Sequence, residues 1–125
     1  MKRQQDHYGE LLELLGPVAM IALAERFGGT RLLIPTTMHA DHAIAVTVGL
    51  GAARQLSDRM APDVIHVPLA RELRAAHYRA QGQSHAQIAL RLGLTEGGVL
   101  RLLRRAQRKP APDEAPQPLP LFPDV

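Results

Sequence analysis

The chain has 125 residues, no cysteine and a formal net charge of +3 at pH 7. That length allows one compact domain or two very small ones, with a modest core of the kind oligomerisation often supplements. Disulfide frameworks and thiolate metal sites are excluded, and the composition suits a reducing cytoplasm, the compartment expected here.

MKRQQDHYGE turns polar after its basic residues, so no secretory leader is expected there, and residues 1–5 read as a frayed end. From Asp6 to Leu15 the leucines at 11, 12, 14 and 15 follow a helical period. Gly16-Pro17 breaks that helix, and Val18 to Phe27 predicts a second one ending at Gly28-Gly29. Thr30 to Ile34 is short and β-prone, and Pro35 stops it. Asp41 is the expected cap of a helical region over His42–Val48, with a kink between Gly49 and Gly51. Gly51 to Met60 reads as a helix with Ala52, Ala53, Leu56 and Met60 on one side. Val64 to Val67 is a second short strand, stopped by Pro68, and Leu69 to Gln81 is a helix ended by Gly82. The apolar runs 18–24 and 43–53 are too short to span a bilayer, so no membrane association is expected. From Pro110 onward proline alternates with small and acidic residues, the pattern of a disordered tail.

An internal repeat relates Leu23–Pro35 (LAERFGGTRLLIP) to Leu56–Pro68 (LSDRMAPDVIHVP) at an offset of 33 residues. Each copy reads as helix, turn, short strand and proline. Two copies are too few for a solenoid, and a lone pair of short strands is marginal in water. The strands must pair with each other or with their copies in a second chain. The small core favours the second arrangement, an exchanged-strand homodimer.

The most informative stretch is Ser84–Arg105, SHAQIALRLGLTEGGVLRLLRR, which reads as a helix-turn-helix. Ser84 and Gln87 form a capping box. Ile88, Ala89 and Leu92 share one face, and Ala89 is small where two helices would cross. Gly93 makes the turn, because a left-handed residue is cheapest without a Cβ. Leu94 points back to the core, Thr95 caps a second helix, and Val99, Leu102 and Leu103 form its buried stripe. The plain alternative is a helical hairpin with no nucleic-acid partner.

The charge is unevenly divided. Residues 1–70 carry six Lys and Arg against seven Asp and Glu; residues 71–109 carry nine against two; residues 110–125 carry none against three. Eight of the nine central cations are arginine, the residue suited to phosphate contact, so double-stranded DNA is the expected partner. The expected DNA-facing residues are Ser84 and His85, then Thr95, Glu96, Gly97, Gly98, Leu100, Arg101, Arg104, Arg105 and Arg108. Glu96 can accept from a cytosine amine, Leu100 can touch a thymine methyl, and the arginines can reach phosphate or guanine. Gly97 and Gly98 remove side chains from the end of the helix that meets base edges. Relaxed selectivity with strong salt dependence is therefore expected.

Other constellations are weaker. His39, Asp41 and His42 have HxxH spacing but lack a third fixed ligand, so capping and surface polarity explain them better than a metal. His66 on a strand reads as structural or solvent-facing. No catalytic order of Ser, His and Asp, no Gly-rich phosphate loop and no paired acidic motif is present, so neither an enzyme, a cofactor nor a small-molecule substrate is expected. The helix-turn-helix also looks like the terminal part of serine recombinases, but the chain lacks their length and nucleophile domain. Gln117–Phe122 (QPLPLF) faintly resembles peptides that dock on the bacterial sliding clamp, against the plainer reading of a Pro-rich tail with no partner.

Taken in order, Phe27–Pro35, the central Gly49–Leu56, the Val64–Pro68 strand and the terminal helix-turn-helix resemble the Mor transcription activator family of Mu-like phages, which includes the C activators. The likeness spans about residues 15–107. It departs at Met60-Ala61-Pro62-Asp63, where family members often repeat an aromatic-Gly-Gly turn. The resemblance implies a dimer, with an N-terminal dimerisation domain joined through short strands to a DNA-binding domain. It also implies activation of phage or prophage promoters by recruiting host RNA polymerase.

The expected architecture is thus mainly α. Residues 1–68 form a helical dimerisation region with two short strands, 69–109 a helix-turn-helix domain, and 110–125 a disordered tail. A two-fold dimer is expected to bind half-sites about 10 bp apart or a multiple of that. The competing class is a small dimeric adaptor whose repurposed helix-turn-helix and tail bind other proteins.

Overall fold

A computed structural model describes residues 4–108. The chain is mainly helical, with one two-stranded antiparallel sheet, and it divides into two compact units between Ala70 and Arg71. The division falls two residues beyond the expected one. The expected tail, residues 110–125, lies outside the described residues.

The first unit opens with α1 (Gln4–Phe27). Its two helical segments meet at Gly16, whose φ of 81° and ψ of 165° are not helical. Pro17 follows, where a first-turn proline sacrifices no intrahelical donor. The break expected at Gly16-Pro17 is therefore present. After β1 (Arg31–Leu33) come α2 (Ala43–Val48), α3 (Leu50–Met60) and β2 (Val64–His66). Leu11, Met20, Leu23, Ile34, Ile44, Ala53, Leu56 and Ile65 are buried, joining helices and strands in the unit's core.

The strands pair with each other within one chain, the first of the two arrangements open to the sequence. Arg31 faces His66, Leu32 faces Ile65 and Leu33 faces Val64. Backbone bonds extend this pairing at both ends: the Val67 amide donates to Thr30 O at 2.9 Å and the Ile34 amide to Asp63 O at 2.9 Å. Leu32 and Ile65 are also equivalent positions of the 33-residue repeat. The strands of the two copies thus pair about a local two-fold centred on those two residues. Ile65 is buried, whereas Leu33 and Val64 are 57% and 56% exposed on the other face.

Several boundaries differ from the sequence reading for identifiable reasons. The cap of α2 is His42, not Asp41: extended at φ −65° and ψ 144°, His42 brings Nδ1 to accept from the Ile44 amide at 3.0 Å, while Asp41 is exposed. Gly49 alone separates α2 from α3, with φ 96° and ψ 148°, and Gly51 lies inside α3. The helix expected from Leu69 starts at Arg71, because Ala70 holds a positive φ of 52°. That helix is α4 (Arg71–Ala80), and α5 (His85–Leu92) and α6 (Glu96–Arg108) complete the second unit.

Gly16→Ala places a Cβ in a backbone region open essentially to glycine alone, although space around it is free. The expected cost is about 1–3 kcal/mol of stability, measured by urea denaturation followed by circular dichroism.

Candidate functional site

The second unit holds the candidate site, and its geometry begins with local hydrogen bonds. Ser84 Oγ accepts from the Gln87 amide at 3.1 Å, and Gln87 Oε1 accepts from the Ser84 amide at 2.8 Å. Both halves of the capping box are present at the start of α5. Gly93 ends the helix in the left-handed region, with φ 69° and ψ 37°. The next amide, of Leu94, donates to Ala89 O at 2.9 Å and satisfies a terminal carbonyl. Thr95 Oγ1 then accepts from the Gly98 amide at 3.0 Å and caps α6. Two separate helices result, with Gly93, Leu94 and Thr95 between them.

Ala75, Tyr78, Ile88, Ala89, Leu92, Val99 and Leu102 form one buried cluster, with Leu94 and Leu103 packed against it. This is the apolar stripe expected on α5 and α6, joined by two residues of α4. With that face committed to the core, Arg101 and Arg104 are exposed on α6, as are Thr95, Glu96, Gly97 and Leu100. A Cβ built on Gly97 or Gly98 would lie 3.9 Å from the Arg101 guanidinium, so this group rests beside the first turn of α6. At Gly98 the same Cβ would stand 3.3 Å from Thr95 Oγ1, tight against the cap.

The expected residues are not equivalent in this setting. Arg105 Nε binds Glu72 Oε2 at 2.6 Å, tying α6 to α4. Arg108 ends α6, and its side chain lies outside the described residues. Ser84 and His85 stand at the start of α5, and His85 shares a groove of about 410 Å³ with Ala76, Arg79, Leu100, Leu103 and Arg104. The groove thus gathers three of the expected residues, His85, Leu100 and Arg104, with α4 as its further wall.

Sequence reasoning did not single out Tyr78. Its ring is buried, Arg74 Nε donates to its hydroxyl at 3.1 Å, and the Arg74 and Arg91 guanidinium carbons lie 5.9 and 4.6 Å from its centroid. The four-residue spacing of Arg74 and Tyr78 on one helix was the available signal; Arg91 approaches through tertiary packing and left none. Elsewhere, His39 is exposed and His42 Nδ1 is engaged as a cap. Among the described residues no group of three His, Cys, Asp or Glu side chains is placed to hold a metal ion. Among the same residues no helix is long and apolar enough to cross a membrane. The chain matches no family model, no curated protein and no solved structure.

Ile88 has no exposed surface, so Ile88→Ala is expected to cost about 2–5 kcal/mol through lost burial and a cavity. Ser84→Ala removes only the cap and is expected to cost about 1 kcal/mol. Urea midpoints of the two variants, compared with the parent chain, check the ordering.

Proposed function

We propose that the chain is a DNA-binding transcription regulator, in which α5, its turn and α6 act as a helix-turn-helix. The observation that carries this reading is the two-sidedness of α6. Val99 and Leu102 are buried, while Arg101 and Arg104 are exposed beside Leu100. In this reading α6 enters the major groove. Arg101 and Arg104 meet phosphate or guanine, Glu96 and Leu100 meet base edges, and Ser84, His85 and Thr95 approach the backbone. Arg105 and Arg108 serve as supporting cations, Arg105 while bridged to Glu72. Gly97 and Gly98 supply no side chains for base readout, so selectivity is low and phosphate contact dominates.

The resemblance to Mor-type activators extends the reading to a homodimer that binds two half-sites and recruits host RNA polymerase at phage or prophage promoters. With the strands closed within one chain, such a dimer needs no strand exchange. The exposed apolar pair Leu33 and Val64 supports contact between copies of the first unit.

A second reading, a small dimeric protein adaptor, is favoured by Leu90, which is 86% exposed on α5, and by the glycine-bearing first turn of α6. Retention on DNA separates the two. For a DNA-binding protein, affinity for duplex falls linearly on a log–log salt plot, and Arg101→Ala and Arg104→Ala each reduce the slope by about 0.9, one phosphate contact. Absence of salt-dependent retention by the intact chain selects the adaptor. Unchanged affinity of Arg101→Ala at low salt removes that residue from the interface.

A further inference from the structure

We infer that the groove formed by α4, α6 and the start of α5 is a binding site for a small organic anion with an apolar body, an aromatic carboxylate, and that its occupant competes with duplex DNA. The competition rests on the DNA-binding reading; the site does not.

The groove combines two chemistries. Its apolar lining comes from Ala76 of α4 and from Leu100 and Leu103 of α6. Ala76 is exposed, and its short side chain leaves room that a larger residue would take. Leu103 packs against the buried cluster below, so this lining is anchored to the core. Each helix then adds one group able to donate to an anion: Arg79 from α4, His85 from α5 and Arg104 from α6. Among the described residues no aspartate or glutamate lines the groove. Glu72, the acid carried by α4, is engaged by Arg105. Arg79 is held in place, since its Nη1 donates to Gln83 O at 2.9 Å. A guanidinium fixed in this way loses less freedom on meeting a carboxylate.

Size and composition narrow the occupant. The groove's volume of about 410 Å³ falls within the roughly 300–1,000 Å³ of small-molecule sites, which pair apolar walls with a few convergent polar groups. A DNA phosphate uses the donors but has no apolar surface to bury against the leucines, and an inorganic anion has the same shortfall. Matching both halves of the groove takes charge and apolar area in one molecule. A carboxylate accepts paired N–H groups from a guanidinium, and an aromatic ring covers the leucines with few torsions to freeze. Such an occupant covers His85, Leu100 and Arg104, which the DNA-binding reading places at the duplex. At about ten times its Kd it weakens apparent DNA affinity about tenfold, since only the open fraction binds.

The test titrates the intact chain, without DNA, with phenylacetate, phenylacetamide, acetate and an Asp-Leu-Glu-Leu peptide, read by leucine-methyl NMR. Phenylacetate is expected to move the Leu100 and Leu103 methyl signals saturably, with a millimolar Kd. Phenylacetamide keeps the ring without the charge, and acetate the charge without the ring; each is expected to bind about tenfold more weakly. Ala76→Leu, which fills the groove and keeps its cations, and Arg79→Gln are each expected to weaken phenylacetate about tenfold. Absence of saturable movement with phenylacetate overturns the site, as does parent-like binding by both variants. Equal binding of the amide or of acetate overturns recognition of charge and ring together. Saturation by the peptide alone reassigns the groove to an acidic protein segment. Duplex affinity is then measured at constant ionic strength with phenylacetate at about ten times its Kd, where a tenfold loss is expected for the intact chain and little change for Ala76→Leu. If phenylacetate binds and no form of the chain binds duplex, the site stands and the DNA-binding reading fails. If it binds and duplex affinity is unchanged, the site stands and the competition is overturned.

Discussion

The apolar seam shared by α4, α5 and α6 is the constraint on which the second unit depends. An eight-residue helix such as α5 is well below the roughly 12–15 residues at which isolated helices become marginal in water. It persists because Ile88, Ala89 and Leu92 are buried against Val99, Leu102, Ala75 and Tyr78. Full burial of a large apolar side chain is worth about 1.5–3 kcal/mol, against about 1 kcal/mol for a typical cap. The turn is determined by the same seam: Gly93 takes the left-handed conformation that lets α6 return across α5, and the side of α6 not needed for packing carries its arginines.

The arginines of the second unit divide into two groups. Arg74 and Arg91 stand over the ring of Tyr78, and Arg105 bridges to Glu72. Arginine suits such positions better than lysine, because a planar guanidinium stacks on an aromatic face and bonds a carboxylate with directional N–H groups. The Arg105–Glu72 pair is about half exposed on the arginine side, so it contributes less than about 1 kcal/mol and acts chiefly to orient. Arg101 and Arg104 project into solvent from α6, and Arg79 donates to Gln83 O at 2.9 Å while lining the groove. Charge counted along the chain does not reveal this division, since it depends on which acid and which ring each guanidinium meets.

Much of the fold was legible because it is set by short-range chemistry. Ser84, Gln87, Gly93 and Thr95 each act within four residues, and each plays the local role its spacing implies. Gly16-Pro17 likewise signals its break directly. The cap of α2 was misassigned because an aspartate outranks a histidine in capping preference, whereas the backbone of His42 delivered a ring nitrogen to the amide two residues on. The repeat revealed two equivalent helix–strand copies, but not which strand each would meet, since pairing in one chain and pairing across two satisfy the same pattern. The i,i+4 spacing of Arg74 and Tyr78 lies within one helix and was open to reading, whereas Arg91 reaches the ring through three-dimensional packing, beyond the reach of any sequence window.

The strand pairing also governs the order in which the molecule can be built. The sheet joins residues 30–34 to 63–67, so the first unit cannot close until the chain past Val67 has emerged. At about 5–20 residues per second, translation of the intervening stretch takes on the order of seconds, far longer than a helix needs to form. The buried cluster of the second unit is built from three consecutive helices, a topology that assembles quickly. The N-terminal half therefore waits on the ribosome for its second strand, whereas the arginine-bearing half can collapse as soon as α6 clears the exit tunnel.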